Sequence, residues 1–210
     1  MEFGGKKEND QEARIPETEP EGYLGGYNKG WWGVAAPNRR LISRYNSMDP
    51  EKLWDKYLLL KELLGSVDEK TIIEAPFRCD NGKNIFLGKQ FYANYGLVIL
   101  DAAPVTFGDN VIVGPNAMFC AASHPIHPDC RFHNGDFPIL SAPITVGDNV
   151  WIGGGVIVLP GVTIGSGSVI GAGSVVTRDI PPMSVAAGSP CRVLRKINEN
   201  DRYEWPEDIV

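Results

Sequence analysis

An aliphatic residue returns at every sixth position, without a slip, through Val146, Ile152, Val158, Ile164, Ile170 and Val176. The residue after it is glycine in four of the six cases (Gly147, Gly153, Gly165, Gly171), and four positions on from the aliphatic residue a second small or branched residue recurs as Val150, Val156, Val162, Ser168 and Ser174. An earlier stretch keeps the same beat at Leu87, Ala93 and Ile99, then resumes two residues out of phase at Phe107, Val113 and Phe119. Residues 120–145 interrupt it. A period of six fits neither an α-helix nor an alternating strand. It is the signature of a parallel β-helix in which each six-residue unit supplies one short strand and one turn. Three units close a triangular coil, the aliphatic residue points inward, and small residues turn the corners. Stacked coils bury one another, so stability accumulates coil by coil. The period does not set handedness, and the general rule for parallel crossovers favours the right hand.

A solenoid leaves open sheet edges at its ends, and these must be covered. Before the repeats, Leu41, Ile42 and Tyr45 share one helical stripe within residues 38–46. A stronger helix is expected over 49–64, with Asp49 as N-cap, Pro50 at its first turn and Gly65 as a left-handed stop. Its apolar stripe would be Leu53, Trp54, Tyr57, Leu58, Leu60, Leu63 and Leu64, and it is a candidate cap for the first coil. At the other end the beat is lost near Asp179-Ile-Pro-Pro, where Pro182 cannot donate to a ladder. The expected organisation is a polar, flexible tail with an aromatic-rich segment over 1–36, a helical module over 37–66, the β-helix over 67–191 with its loop at 120–145, and a C-terminal segment over 192–210.

The chain carries 20 Lys and Arg against 26 Asp and Glu, a formal charge of −6, which argues against a general nucleic-acid binder. Location refines this: residues 1–22 hold seven acids and three bases, whereas residues 178–196 hold four bases (Arg178, Arg192, Arg195, Lys196) and one acid. Such a basic cluster suits the phosphates of a nucleotide-like ligand, or is simply a solvated face. No apolar run reaches the ~18 residues of a membrane span and no basic-then-apolar leader opens the chain. The four cysteines lack a paired pattern, so the expected setting is the reducing cytoplasm.

Two of the three histidines, His124 and His127, fall in the interrupting loop, with His133 nearby. Imidazole suits general-base work near neutral pH, and a loop on a repeat scaffold is a common mount for function. Three histidines can also hold Zn²⁺, as in hexapeptide-repeat carbonic anhydrases. That class spreads its ligands over separate coils, whereas these three sit within ten residues of one loop. Cys120, four residues before His124, permits a Cys–His pair or is a small packed residue. Asp80 and Asp101 are either contacts for sugar hydroxyls or turn-forming aspartates.

The segments LISRYN, LLLKELLGSV, APFRCDNGKNI, FYANYG, TFGDNVIVGPN, SHPIHP and ITVGDNVWIGGGVIVLPGVTIGSGSVIGAGSVVTRDIPP followed by AAGSPCRVLRKI together resemble the maltose/galactoside O-acetyltransferase family of hexapeptide-repeat enzymes, over roughly residues 38–197. The resemblance implies a left-handed parallel β-helix and a homotrimer with active sites between subunits. It implies direct acetyl transfer from acetyl-CoA to a sugar hydroxyl, with no metal. His124 matches the family's catalytic base and Asn94 its transition-state stabiliser. Asp80, Tyr92 and Asn94 match the acceptor side. Trp151, Gly154, Ala172, Thr177, Arg178, Arg192 and Arg195 match the CoA side. The aromatic stretch 22–32 stands where the family has an acidic acceptor contact, and the loop DCRFHNGDFPILSA is individual; both differences lie on the acceptor side. A non-sugar hydroxyl acceptor (antibiotic or serine), the zinc reading and a non-catalytic trimeric scaffold are the alternatives.

Overall fold

The structure, a computed structural model, describes residues 29–132 and 137–204, with side chains from Asn38 onward. The expectations for residues 1–28 and for His133 lie outside the described residues.

The repeat folds as a parallel β-helix with three faces. Face 1 stacks Ile72–Ile73, Tyr92–Ala93, Ile112–Val113, Trp151–Ile152, Val169–Ile170 and Ser184–Ala187. Face 2 stacks Arg78–Cys79, Val98–Leu100, Met118–Cys120, Ile157–Val158 and Val175–Val176. Face 3 stacks Ile85–Phe86, Val105–Phe107, Ile144–Val146 and Thr163–Ile164. The six-residue aliphatics are the inward column: Val146, Ile152, Val158, Ile164, Ile170 and Val176 are at most 1% exposed. The second recurring set, Val150 to Ser174, points inward as well. Phe91, Phe107 and Phe119 stack edge to face inside the early coils, with centroids 5.0 and 4.8 Å apart.

The two-residue phase shift now has a location. Ala93 pairs with Val113 and Ile152 with Ile170, so an early coil is two residues longer than a late one. The surplus lies at the corner between faces 2 and 3, over residues 80–84 in the first coil and 101–104 in the second. In the third coil the whole interrupting segment leaves from the same corner. Its root is a ribbon, Ala122–Ser123 antiparallel to Leu140–Ser141, so the segment is a hairpin arm rather than a structureless loop. The ladder resumes undisturbed, with Val146 on Phe107 and Val158 on Phe119.

Helix α1 (Lys29–Ser47) begins well before Asn38, and helix α2 (Leu53–Leu63) begins later than expected. Asp49 caps a turn instead of the helix: its carboxylate accepts the Glu51 N–H at 3.0 Å and its carbonyl the Lys52 N–H at 3.1 Å. The stop also differs. Leu64 is extended, and Gly65 is needed for close approach, since a Cβ there would lie 2.6 Å from the Lys83 carbonyl oxygen. The buried face of α2 is Lys56, Leu59, Leu60 and Leu63, with Leu53, Trp54 and Leu58 exposed. Lys56 fits there because its stem packs while its ammonium lies 5.5 Å from the Tyr45 ring centroid. The helices cover the first coil as expected of a cap. The Asn46 amide pairs with both the N–H and the carbonyl of Phe77, at 2.8 and 2.9 Å.

The C-terminal end runs on past the expected loss of beat. Ile180 bridges Ile164, Ser184–Ala187 extends face 1, and Arg192–Lys196 folds back antiparallel to close that edge. The buried hydroxyls of Ser168 and Ser174 accept the Ser184 and Gly188 N–H groups at 3.3 and 3.0 Å, which ties this hairpin to the last coils.

The outer surfaces of the faces differ. Face 3 shows exposed Thr106, Thr145 and Thr163, whereas face 1 shows Ile72, Ile112 and Trp151, the last two at 51% and 55% exposure. Face 2 presents half-buried Val98, Met118, Ile157 and Val175.

Candidate active site

The enlarged corner between faces 2 and 3 collects the chemistry-bearing groups of three successive coils. Asp101 sits beneath the surface at 0% exposure. Its Oδ1 accepts the N–H groups of Asp80 (3.1 Å) and Asn81 (2.9 Å), and its Oδ2 those of Gly82 (2.7 Å) and Asn84 (3.4 Å). Its carboxylate is therefore enclosed by backbone amides and not presented to a sugar, against the expectation for this residue. Asp80 is half-buried on the wall of a cleft of about 740 Å³ between α1 and face 2, which Arg39, Asn46, Arg78 and Leu100 also line. Burial pushes the Asp80 carboxyl up from its usual range and the Asp101 charge adds to this, while Arg39 pulls it back down.

Cys120 stacks on Leu100 in the same column. Burial, with the negative charge of Asp80, raises its thiol above the ordinary value. Cys120 is thus held as the neutral thiol, a poor nucleophile.

His124 follows the arm's first strand. Its Nδ1 lies 2.9 Å from the Pro138 carbonyl oxygen and its ring meets the Phe137 ring edge-on at 5.5 Å. A carbonyl only accepts, so Nδ1 carries the proton, and in the neutral tautomer this bond selects, Nε2 holds the lone pair. The arm is braced by Arg131, whose guanidinium donates to the carbonyls of Pro125 and Ile126 at 3.1 and 2.7 Å. His127 acts locally, its ring accepting the Asp129 N–H and capping the short turn Pro128–Cys130. Among the described residues no three His, Cys, Asp or Glu side chains group as metal ligands.

Asn94 and Tyr92 lie elsewhere. Tyr92 is on the outer surface of face 1, and Asn94 begins the corner between faces 1 and 2. The Asn94 Oδ1 accepts the Tyr95 N–H at 2.7 Å, which engages the carbonyl end of its amide. A single chain therefore does not bring His124 and Asn94 to one corner.

The residues expected on the CoA side are also divided. Trp151 is on face 1, Gly154 and Ala172 are on the corner between faces 1 and 2, and Thr177 and Arg178 are on the corner between faces 2 and 3. Arg192 and Arg195 stand on the closing strand. Arg195 is engaged in a bidentate pair with Asp201, at 2.7 and 2.6 Å. That guanidinium holds the Asp201 carboxyl down to about 2. Neither this pairing nor the Phe137–Pro138 support of His124 had a signal in the sequence, because each joins residues with no motif between them. Arg39 and Arg78 were missed as well, since only packing of α1 on face 2 makes a cleft of them.

Comparison with known proteins agrees with this architecture. A profile of the bacterial transferase hexapeptide (six repeats) family matches residues 143–178. The galactoside O-acetyltransferase of Escherichia coli strain K12 is 46% identical over 170 residues, covering 81% of this chain and 82% of that protein. A galactoside acetyltransferase solved in complex with coenzyme A superposes with a TM-score of 0.80 at 42% identity, over 86% of this chain and 89% of that one. A maltose O-acetyltransferase from Clostridium difficile 630 gives 0.78 at 42% identity, over 82% and 90%.

Proposed function

We propose a reaction for a chain that belongs to the maltose/galactoside O-acetyltransferase family of hexapeptide-repeat enzymes, as its 46% identity to the Escherichia coli galactoside O-acetyltransferase over four fifths of each chain shows: it moves the acetyl group of acetyl-CoA to a hydroxyl of a glycoside, in a site that two subunits of a homotrimer share. The coenzyme A held by one structural neighbour supports the donor, and the galactoside and maltose enzymes support the acceptor.

One observation carries the reading. Two side chains are each engaged through one atom, which leaves the complementary atom for a substrate: His124 through Nδ1, Asn94 through Oδ1. His124 Nε2 takes the proton of the acceptor hydroxyl as that oxygen attacks the thioester carbonyl carbon. The Asn94 amide donates to the oxyanion, a contact whose loss typically costs about 10²–10³-fold in turnover. Collapse of the tetrahedral species breaks the carbon–sulfur bond, and the thiolate leaves with the proton from His124. No enzyme nucleophile is needed, in accord with the neutral Cys120.

Because the two groups stand on different corners, they meet only if His124 of one subunit faces Asn94 of the next. The apolar outer surfaces of faces 1 and 2, beside the polar threonine ladder of face 3, are what a three-fold assembly would cover. The acetyl donor would lie in the groove between subunits, where Trp151, Gly154, Ala172, Thr177 and Arg178 line opposite walls, with Arg192 and Arg195 near its phosphates. On the acceptor side, Asp80 and Arg39 flank the apolar floor at Leu100, a carboxylate and a guanidinium that suit the hydroxyls and C–H face of a pyranose.

The test is thiol release from acetyl-CoA with a panel of maltose, galactosides, serine and an antibiotic alcohol that contains no sugar, with products identified by mass spectrometry. Turnover with the glycosides is expected. Turnover confined to the non-sugar alcohols would overturn the acceptor class, and thiol release with none of them would overturn the reaction.

A further inference from the structure

We infer that Asp101 is a positioning residue of the acceptor site: its buried carboxylate holds the corner Asp80–Asn84 in the shape that aims Asp80 into the cleft. The inference rests on the proposed reaction only in taking that cleft as the place of the acceptor.

The geometry is specific. A carboxylate at 0% exposure is costly unless hydrogen bonds replace its water. Here four backbone amides do so, those of Asp80, Asn81, Gly82 and Asn84, and the Asn84 side-chain amide adds a bond to the Asp101 carbonyl at 2.9 Å. Wrapping a chain segment around one anion requires an unusual turn, and Gly82 supplies it with φ +82°. The late coils turn the same corner two residues sooner. The surplus of the first coil is thus the nest itself, and that of the second coil begins with the anion that fills it.

The corner is also fastened from outside. The Asn38 amide on α1 donates to the Asn81 carbonyl and, at 3.1 Å, to the Asn81 side chain. Both walls of the cleft, α1 and the corner bearing Asp80, are joined through this segment. A charge placed below Asp80 acts on it directly too. The groups that face Asp80 are Arg39 from α1, Arg78 and Cys79 on the strand that leads into it, Asp101 from the second coil and Cys120 from the third. Among them Asp101 raises the Asp80 carboxyl and Arg39 lowers it.

The experiment compares the wild-type protein with Asp101→Asn in two independent readouts. In hydrogen exchange, the amides of Asp80, Asn81 and Gly82 should lose protection about ten-fold or more, the scale of one buried charged hydrogen bond. In kinetics with maltose, KM for maltose should rise about ten-fold while kcat and the KM for acetyl-CoA stay within about two-fold. The acidic limb of the maltose KM should move to lower pH, because removing the neighbouring negative charge lets Asp80 ionise more readily. Adding Asp80→Asn to Asp101→Asn should cost no more than the worse single change, as expected of a residue that acts through another. Should Asp101→Asn not fold, Asn38→Ala loosens the same corner from α1 without disturbing the buried carboxylate, and should raise the maltose KM in the same direction. Unchanged exchange overturns the inference whatever the acceptor is. Faster exchange with unchanged maltose KM reduces Asp101 to a turn former and overturns it as well. If the wild type turns over no glycoside, the proposed reaction fails, and the exchange arm alone decides whether Asp101 holds the corner.

Discussion

Placing His124 and Asn94 on different corners of one triangular solenoid makes a quantitative claim about mixtures of inactive proteins. His124→Ala removes the proposed base and should lower turnover about 10²–10⁴-fold, the usual span for such a group. Asn94→Ala removes the proposed oxyanion donor and should lower it about 10²–10³-fold. Each variant, in the proposed homotrimer, is then nearly dead. If the two are co-expressed in equal amounts and assemble at random, about three quarters of the trimers are mixed. Going round any mixed ring, one interface joins the intact histidine of one subunit to the intact asparagine of the next, and the other two lack one or both. About a quarter of all sites are therefore restored. The expected activity of the mixture is about a quarter of the wild-type value, well above either parent. The assay is thiol release from acetyl-CoA with saturating acceptor, on protein whose trimeric mass is confirmed by light scattering. Activity of the mixed trimers no greater than the average of the two parents would refute the shared site. A monomer by light scattering with full wild-type activity would refute it independently.

Further outcomes follow from the thiols and the closing strand. Cys120→Ala should keep kcat within about two-fold, since direct transfer needs no thiolate; in the wild type, iodoacetamide should alkylate exposed Cys130 well before Cys120, whose thiol is pushed up by burial. Arg195 holds Asp201 down to about 2, so a ¹³C titration should find that carboxyl well below the usual aspartate range, and Arg195→Ala should return it. A depressed folded-state value contributes stability at pH above the ordinary aspartate range and loses it as the pH falls towards 2. The pair is exposed, so the effect on melting should be slight. Saturating coenzyme A should raise the Asp201 titration if Arg195 leaves it for a phosphate, and an unmoved titration would remove Arg195 from the CoA site.

Much of this site stood in the sequence as separate words without a grammar. The strings around Asn94, His124 and Arg192 carry the resemblance from which the proposed roles come. Their distribution over corners was not legible, since it depends on how many residues each corner consumes. The two-residue slip after Ile99 was visible, but only the fold revealed that it makes room for a buried carboxylate. Asp101 shows the limit most clearly: an aspartate at a turn reads the same whether it faces solvent or is enclosed by four amides. The exposed Trp54 and buried Lys56 of α2 make the same point, because the helical stripe counts apolar residues and not the surface on which the helix is laid.

The sequence by itself determined the solenoid, because a six-residue aliphatic period has one economical way to bury its backbone and side chains, and it determined the family through motifs in order. Tertiary structure alone decided which corner carries the arm, which atom of His124 and of Asn94 is engaged within the chain, and that Asp80 has a cleft to face. Those decisions rest on contacts between segments far apart in the chain, α1 on face 2, Pro138 on His124 and Asp101 beneath Asp80, whose geometry no local pattern encodes.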